Sequence, residues 1–258
     1  MREREVLSGI ITDPLFYAFV IPAAIFLGLA KGGLAGVGSA ATPLLSLYLP
    51  PLEAAALLLP ILMCQDVISV YVYRHEWSAR NLKVLIPGAL IGMGTGWLFV
   101  AWVSDDAIRV LIGVISLAFL ASLWLRPQSS APSVPGVTRG IVCGALAGFA
   151  SFTTQGGAPP YQIYVLPQQL PKMLYVGTTT LFFASVNAMK VVPYFMLGQF
   201  SAKNLATSAV LLPLAVLANF GGIWLVRNLP SAVFFRITYA LLFIIGCTLL
   251  WQGLGHWL

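Results

Sequence analysis

Three ionisable side chains in this sequence fall where a charge is hardest to hold. Lys31, Asp66 and Lys190 lie inside long apolar runs, and a charge at membrane depth costs about 2.5–3.5 kcal/mol on insertion scales, so each demands a partner or a watery cavity. Lys31 opens the run Lys31-Gly32-Gly33-Leu34-Ala35-Gly36-Val37-Gly38, and Thr153-Thr154-Gln155-Gly156-Gly157 stands just before Pro159-Pro160 in a second run. Glycine lets the backbone open toward a ligand, and a helix that restarts after such a break points its positive end inward. Both breaks therefore suit an anion: Lys31, Gly32 and Gly33 on one side, Thr153, Thr154, Gln155, Gly156 and Gly157 on the other. Asn187, Lys190 and Tyr194 are spaced three and four residues apart and share one helix face. They extend a polar stripe begun by Thr178, Thr179 and Thr180. Gln65, Asp66 and Ser69 form a sparser stripe elsewhere.

Two readings of these residues stay open. In one, Lys31 and Lys190 bind an anion, Gln155, Thr153, Thr154, Asn187 and Tyr194 orient it, and Asp66 with Gln65 couples binding to a proton. In the other, Asp66 and Lys190 form an ion pair that fixes helix registry, and the glycines every fourth residue (Gly28, Gly32, Gly36; Gly88, Gly92, Gly96; Gly140, Gly144, Gly148) are packing interfaces.

The elements that must position these groups follow from composition. Of 258 residues 59% are hydrophobic and 9% charged, against about 25% charged in soluble domains, which excludes an ordinary soluble protein. At roughly 20 apolar residues per span the sequence predicts an all-α polytopic membrane protein of about eight transmembrane helices, near 15–50 (broken), 53–73, 82–104, 107–125, 138–166 (broken), 173–197, 204–226 and 232–254. A shift of 116 residues lays Gly28 on Gly144, Gly32 on Gly148, Pro43 on Pro159 and Tyr48 on Tyr164. A shift of 123 lays SARNL on SAKNL. Two four-span repeats follow, 1–125 and 139–258, joined by a Pro/Ser-rich cytoplasmic linker at 126–138.

If every segment crosses once, Arg2, Arg4, Arg74, Arg80, Lys83, Arg126, Arg139 and Lys203 share one side, which the positive-inside rule makes cytoplasmic together with both termini. The repeats are then parallel. If the broken segments are re-entrant hairpins, each half crosses an odd number of times and the repeats are inverted.

Other functions find little support in the residues. The net charge of +6 is accounted for by such loops, without nucleic acid. Cys64, Cys143 and Cys247 have no paired spacing for a disulfide or metal clip. With His75 and His256 the only histidines, no metalloprotease or Ser-His-Asp set can be assembled, so no enzyme and no cofactor is expected.

The segments GLAKGGLAGVGSAATPLL (Gly28 to Leu45), QDVISVYVYRHEWSARNLKVLIPGALIGMGTGW (Gln65 to Trp97) and GTTTLFFASVNAMKVVPYFMLGQFS (Gly177 to Ser201) resemble the sulfite exporter TauE/SafE family, also called the toluene-sulfonate uptake permease family. That resemblance implies a bacterial inner-membrane transporter, an exporter of sulfite, an organosulfonate or a related organic anion, working by alternating access. Proton coupling and a homo-oligomer stay open. The KGGLAGVG wording departs from the Gly-Gly-Gly break commoner in the family. A passive anion channel with the same lining, or a membrane assembly factor without transport, are the alternatives.

Overall fold

The computed structural model describes residues 13–34, 38, 41–45, 48–49, 51–99, 104–124, 132–133, 135–198 and 200–255. Among them every regular element is helical: α1 Pro14–Lys31, α2 Ala41–Leu45, α3 Pro51–Tyr73, α4 Ala79–Phe99, α5 Asp105–Trp124, α6 Val137–Thr154, α7 Ala158–Val165, α8 Lys172–Met196, α9 Ala202–Asn228 and α10 Ser231–Leu254. Four helices are long and apolar enough to cross a membrane, Pro14–Lys31, Glu53–Tyr73, Ala202–Asn228 and Ser231–Leu254, with Val137–Thr153 a shorter apolar helix. Exposed Val67, Leu98, Phe195, Leu217, Trp224 and Trp251 on the outer surface fit a lipid solvent rather than water. Gln65, Asp66, Asn187, Lys190 and Asn219 are buried instead.

Helix starts and stops follow local chemistry. Asp13 caps α1, accepting from the Leu15 N–H at 2.9 Å, and Ser201 caps α9, accepting from the Asn204 N–H at 3.1 Å. At the far end of α9 the Lys172 ammonium donates to the carbonyls of Val226 and Leu229 at 2.7 and 2.6 Å, satisfying acceptors the helix itself cannot.

The broken segments turn back. Tyr48, after α2, donates to Asp13 at 2.6 Å, and its ring lies 5.5 Å from that of Phe16. The chain thus returns to the end of α1 from which it set out. After α6 and α7 the same happens: the Tyr164 ring packs against Gly140, where an added Cβ would sit 2.8 Å from it, and Ser133 N–H donates to the Pro167 carbonyl at 3.1 Å. Straight continuation of α6 would carry Tyr164 tens of ångströms from Gly140 at 1.5 Å per residue. Both are hairpins, the second of the two courses that the sequence left open for the broken segments.

The remaining contacts fix direction. Ser78 N–H donates to Thr178 Oγ1 at 2.9 Å and Asn81 Nδ2 donates to Gln168 Oε1 at 3.0 Å, so the α3–α4 turn, the start of α8 and the return of the second hairpin share one end of the bundle. The Lys172 contacts bring the end of α9 there too. Asp13, Tyr48 and the starts of α3 and α9 occupy the other end, tied by the Ser208 hydroxyl donating to the Leu57 carbonyl at 2.6 Å. The first hairpin therefore enters from one end and the second from the opposite end.

Packing pairs the halves. α1 lies on α9, α6 on α4, α3 on α8 and α5 on α10. The glycines read as interfaces serve the first two: a Cβ on Gly32 would lie 2.4 Å from the Gly222 Cα, and one on Gly148 would lie 2.2 Å from the Ala89 carbonyl oxygen.

Candidate functional site

The hairpin tips meet along α3 and α8. Lys31, the last residue of α1, donates from Nζ to Asp66 Oδ1 of α3 at 2.5 Å. The other carboxylate oxygen accepts from Asn187 Nδ2 of α8 at 2.7 Å. One turn along α8, Lys190 Nζ donates to Asn187 Oδ1 at 3.2 Å and to Gln155 Oε1 at the second tip. Gln155 Nε2 in turn donates to the Ala55 carbonyl of α3 at 3.4 Å. A continuous polar chain, Lys31–Asp66–Asn187–Lys190–Gln155, thus joins the two breaks. Lys31, Asp66 and Lys190 are 9%, 6% and 0% exposed, so the chain sits in a medium where charges act strongly on one another.

Beside it lies a cavity of about 60 Å³ whose polar lining is Lys31, Ser151, Gln155, Thr179, Thr180 and Asn187 and whose remaining wall is apolar, including Leu27, Leu62 and Phe183. One water needs about 10–15 Å³ of such space, so the cavity has room for about four to six waters, enough for a compact oxyanion. Lys31 is the charged side chain in that lining, and Lys190 stands behind the amides of Gln155 and Asn187. Both amides turn their oxygens to Lys190, while their NH2 groups donate to Asp66 and to the Ala55 carbonyl.

Local structure explains each tip. Gly32 N–H donates to the Gly28 carbonyl at 2.8 Å, closing α1. The Gly32 carbonyl accepts from Tyr73 OH at 2.7 Å. Gly33 then takes φ +131°, a conformation that L side chains rarely adopt. Ser69 Oγ holds the Lys31 carbonyl at 2.8 Å. At the second tip Gln155 itself adopts the left-handed conformation, φ 58°, capping α6 by donating to the Ser151 carbonyl at 3.2 Å, while Gly156 N–H donates to Ala150 at 3.1 Å. Gly157 leaves room where a Cβ would lie 2.5 Å from the Ala147 carbonyl oxygen. Pro159 and Pro160 carry no N–H, so α7 starts with two fewer free donors than a helix usually offers. Side chains, more than backbone, line this tip.

Several expected residues do something else. The expected Asp66–Lys190 ion pair is not formed: Lys31 takes the carboxylate, because the first hairpin delivers its ammonium directly onto α3, and Asn187 is interposed on the α8 side. Gln65 faces α9, donating to the Ala215 carbonyl at 2.8 Å, and does not line the cavity. Tyr194 donates to the Phe152 carbonyl at 2.6 Å and anchors α6 to α8. The Thr153 hydroxyl bonds within its own helix, to the Phe149 carbonyl at 3.2 Å. The Thr154 side chain and residues 35–37 of the first break lie outside the described set. The reading from sequence missed Ser151, Tyr73 and Asn219. Asn219, which accepts from Ser69 Oγ at 3.2 Å and donates to the Gln65 carbonyl at 3.2 Å, was signalled only as a lone amide in the apolar run of α9.

No curated protein and no solved structure gave a match in comparisons with known proteins. The family model described as sulfite exporter TauE/SafE matches residues 20–249, nearly the whole chain. With apolar helices around a buried polar core, this coverage places the protein among multi-pass membrane transporters: the chain belongs to the sulfite exporter TauE/SafE family.

Proposed function

We propose that this chain is a secondary transporter that exports a small sulfur-containing anion, sulfite or an organosulfonate, from the bacterial cytoplasm across the inner membrane. The observation that carries the reading is the buried polar chain linking both hairpin tips beside a cavity of oxyanion size. Lys31 contacts the anion, Gln155 and Asn187 orient it, Thr179 and Thr180 line its far wall, and Lys190 supplies charge from behind the amides. Charge-assisted donors of this kind suit a compact trio of oxygens.

Two repeats, 1–125 and 139–258 about a linker at 126–138, complete the proposal. Their inverted arrangement is supported by hairpins entering from opposite ends and by the matched pairings α1·α9 with α6·α4. Rocking one hairpin tip against the other around a fixed site is how such repeats give alternating access. The end that carries Arg74, Arg80, Lys83, Arg139, Lys172 and Arg227 is the cytoplasmic one by the positive-inside rule. The start of α1 and the end of α10 then lie on the opposite side, contrary to the expectation of cytoplasmic termini. Movement of the anion is coupled to a proton in this scheme.

Purified protein in liposomes loaded with sulfite tests the reading. Saturable efflux stimulated by a pH gradient is expected, reduced about 100-fold in Lys190→Gln that elutes as a folded species. Wild-type efflux from Lys190→Gln would overturn the site, and flux that never saturates would assign a channel instead.

A further inference from the structure

The polar chain has an odd number of charges. Two lysines share one carboxylate, and Asp66 has both oxygens engaged, by Lys31 and by Asn187. Among the described residues Lys190 donates to amide oxygens, those of Gln155 and Asn187. Asn187 stands between Asp66 and Lys190, bonded to both. Among the described residues that line the cavity, Lys31 is the one charged side chain. A bound anion favours the charged form of both lysines, and with both protonated the polar chain holds a single unbalanced positive charge inside an apolar bundle.

Resting on the transporter reading above, we propose that this charge count makes the site selective for monovalent oxyanions, so that a sulfonate or bisulfite is bound in preference to a doubly charged sulfite or sulfate. One negative charge in the cavity neutralises the polar chain, and the bundle then buries no net charge. A dianion overshoots and leaves one negative charge uncompensated in a low dielectric, where an unpaired charge is strongly disfavoured. Size does not discriminate here, because methanesulfonate and sulfate are both tetrahedral and differ by a methyl group in place of a charged oxygen. The role of Asp66 follows: it sets the valence of the anion by cancelling one lysine.

The test is the binding of methanesulfonate and of sulfate to detergent-purified full-length protein at neutral pH, by calorimetry and thermal shift. Wild type is expected to prefer methanesulfonate by at least about tenfold. Asp66→Asn leaves two uncancelled lysines and is expected to reverse the preference. Gln155→Glu gives Lys190 a carboxylate, brings the count to zero, and is expected to weaken both anions about tenfold or more; it stands in if Asp66→Asn does not fold. Equal affinity of the wild type for both anions, an unchanged preference in Asp66→Asn, or wild-type methanesulfonate affinity in Gln155→Glu would each overturn the charge count while leaving anion transport standing. Binding of neither anion to folded wild type would overturn both.

Discussion

At the first hairpin tip the cation is on the break and its acceptor is on the through-going helix; at the second the roles are exchanged. Lys31 reaches Asp66 across a separation of 35 residues, and Lys190 reaches Gln155 across the same 35. The same offset of 124 residues separates Lys31 from Gln155 and Asp66 from Lys190. The two tips therefore make similarly spaced contacts with reversed polarity. A charged pair at one tip is self-sufficient, and a lysine held by amides at the other is not.

The largest expected effect breaks the anchored tip. Lys31→Met leaves a buried carboxylate with only Asn187 against it, and removing one partner of such a pair costs about 3–5 kcal/mol. Gln155→Leu removes a neutral acceptor from Lys190, worth about 1.5–3 kcal/mol for a bond to a charged group. Denaturant melts of the two variants should separate in that order, and equal losses would erase the distinction between the tips. Next, the matched glycines test the shared scaffold. Gly32→Val and Gly148→Val both force a side chain into a neighbouring backbone, and overpacking of this kind costs about 1–3 kcal/mol. Similar drops in melting temperature are expected, while tolerance at one site alone would show that the halves do not pack alike.

The smallest effect lies at the membrane edge. The Tyr48 hydroxyl, and then the Leu15 N–H, hold the Asp13 carboxyl below its ordinary value of 3.8. A depressed carboxylate favours the folded state above its unfolded value and ceases to do so as pH falls through the folded value. Tyr48→Phe should therefore raise the Asp13 titration midpoint, followed by carboxyl NMR, with no change in fold at neutral pH. An unmoved midpoint would show that Tyr48 does not close the first hairpin in solution.

Much of the candidate site was legible because the residues are exceptional for their surroundings. A lysine, an aspartate or an amide inside an apolar run is visible without coordinates, and Lys31, Asp66, Asn187, Lys190 and Gln155 do come together in one chain. Their pairing was not legible. Repeat alignment set Asp66 near Lys190, but one amide, Asn187, stands between them, and which ammonium reaches the carboxylate depends on how far each hairpin penetrates. Gln65 is one residue from Asp66 in sequence and about 100° round the helix, enough to turn it onto α9.

Composition by itself determined that this chain is helical and apolar, because a bilayer admits few other ways to satisfy a backbone, and glycine and proline marked where two helices must break. Whether a broken helix continues or returns was decided only in three dimensions. Hydropathy measures how long a segment can stay out of water, not which way it points. Direction came from contacts between residues far apart in sequence, Tyr48 with Asp13 and Tyr164 with Gly140, and those two returns set the second hairpin opposite the first.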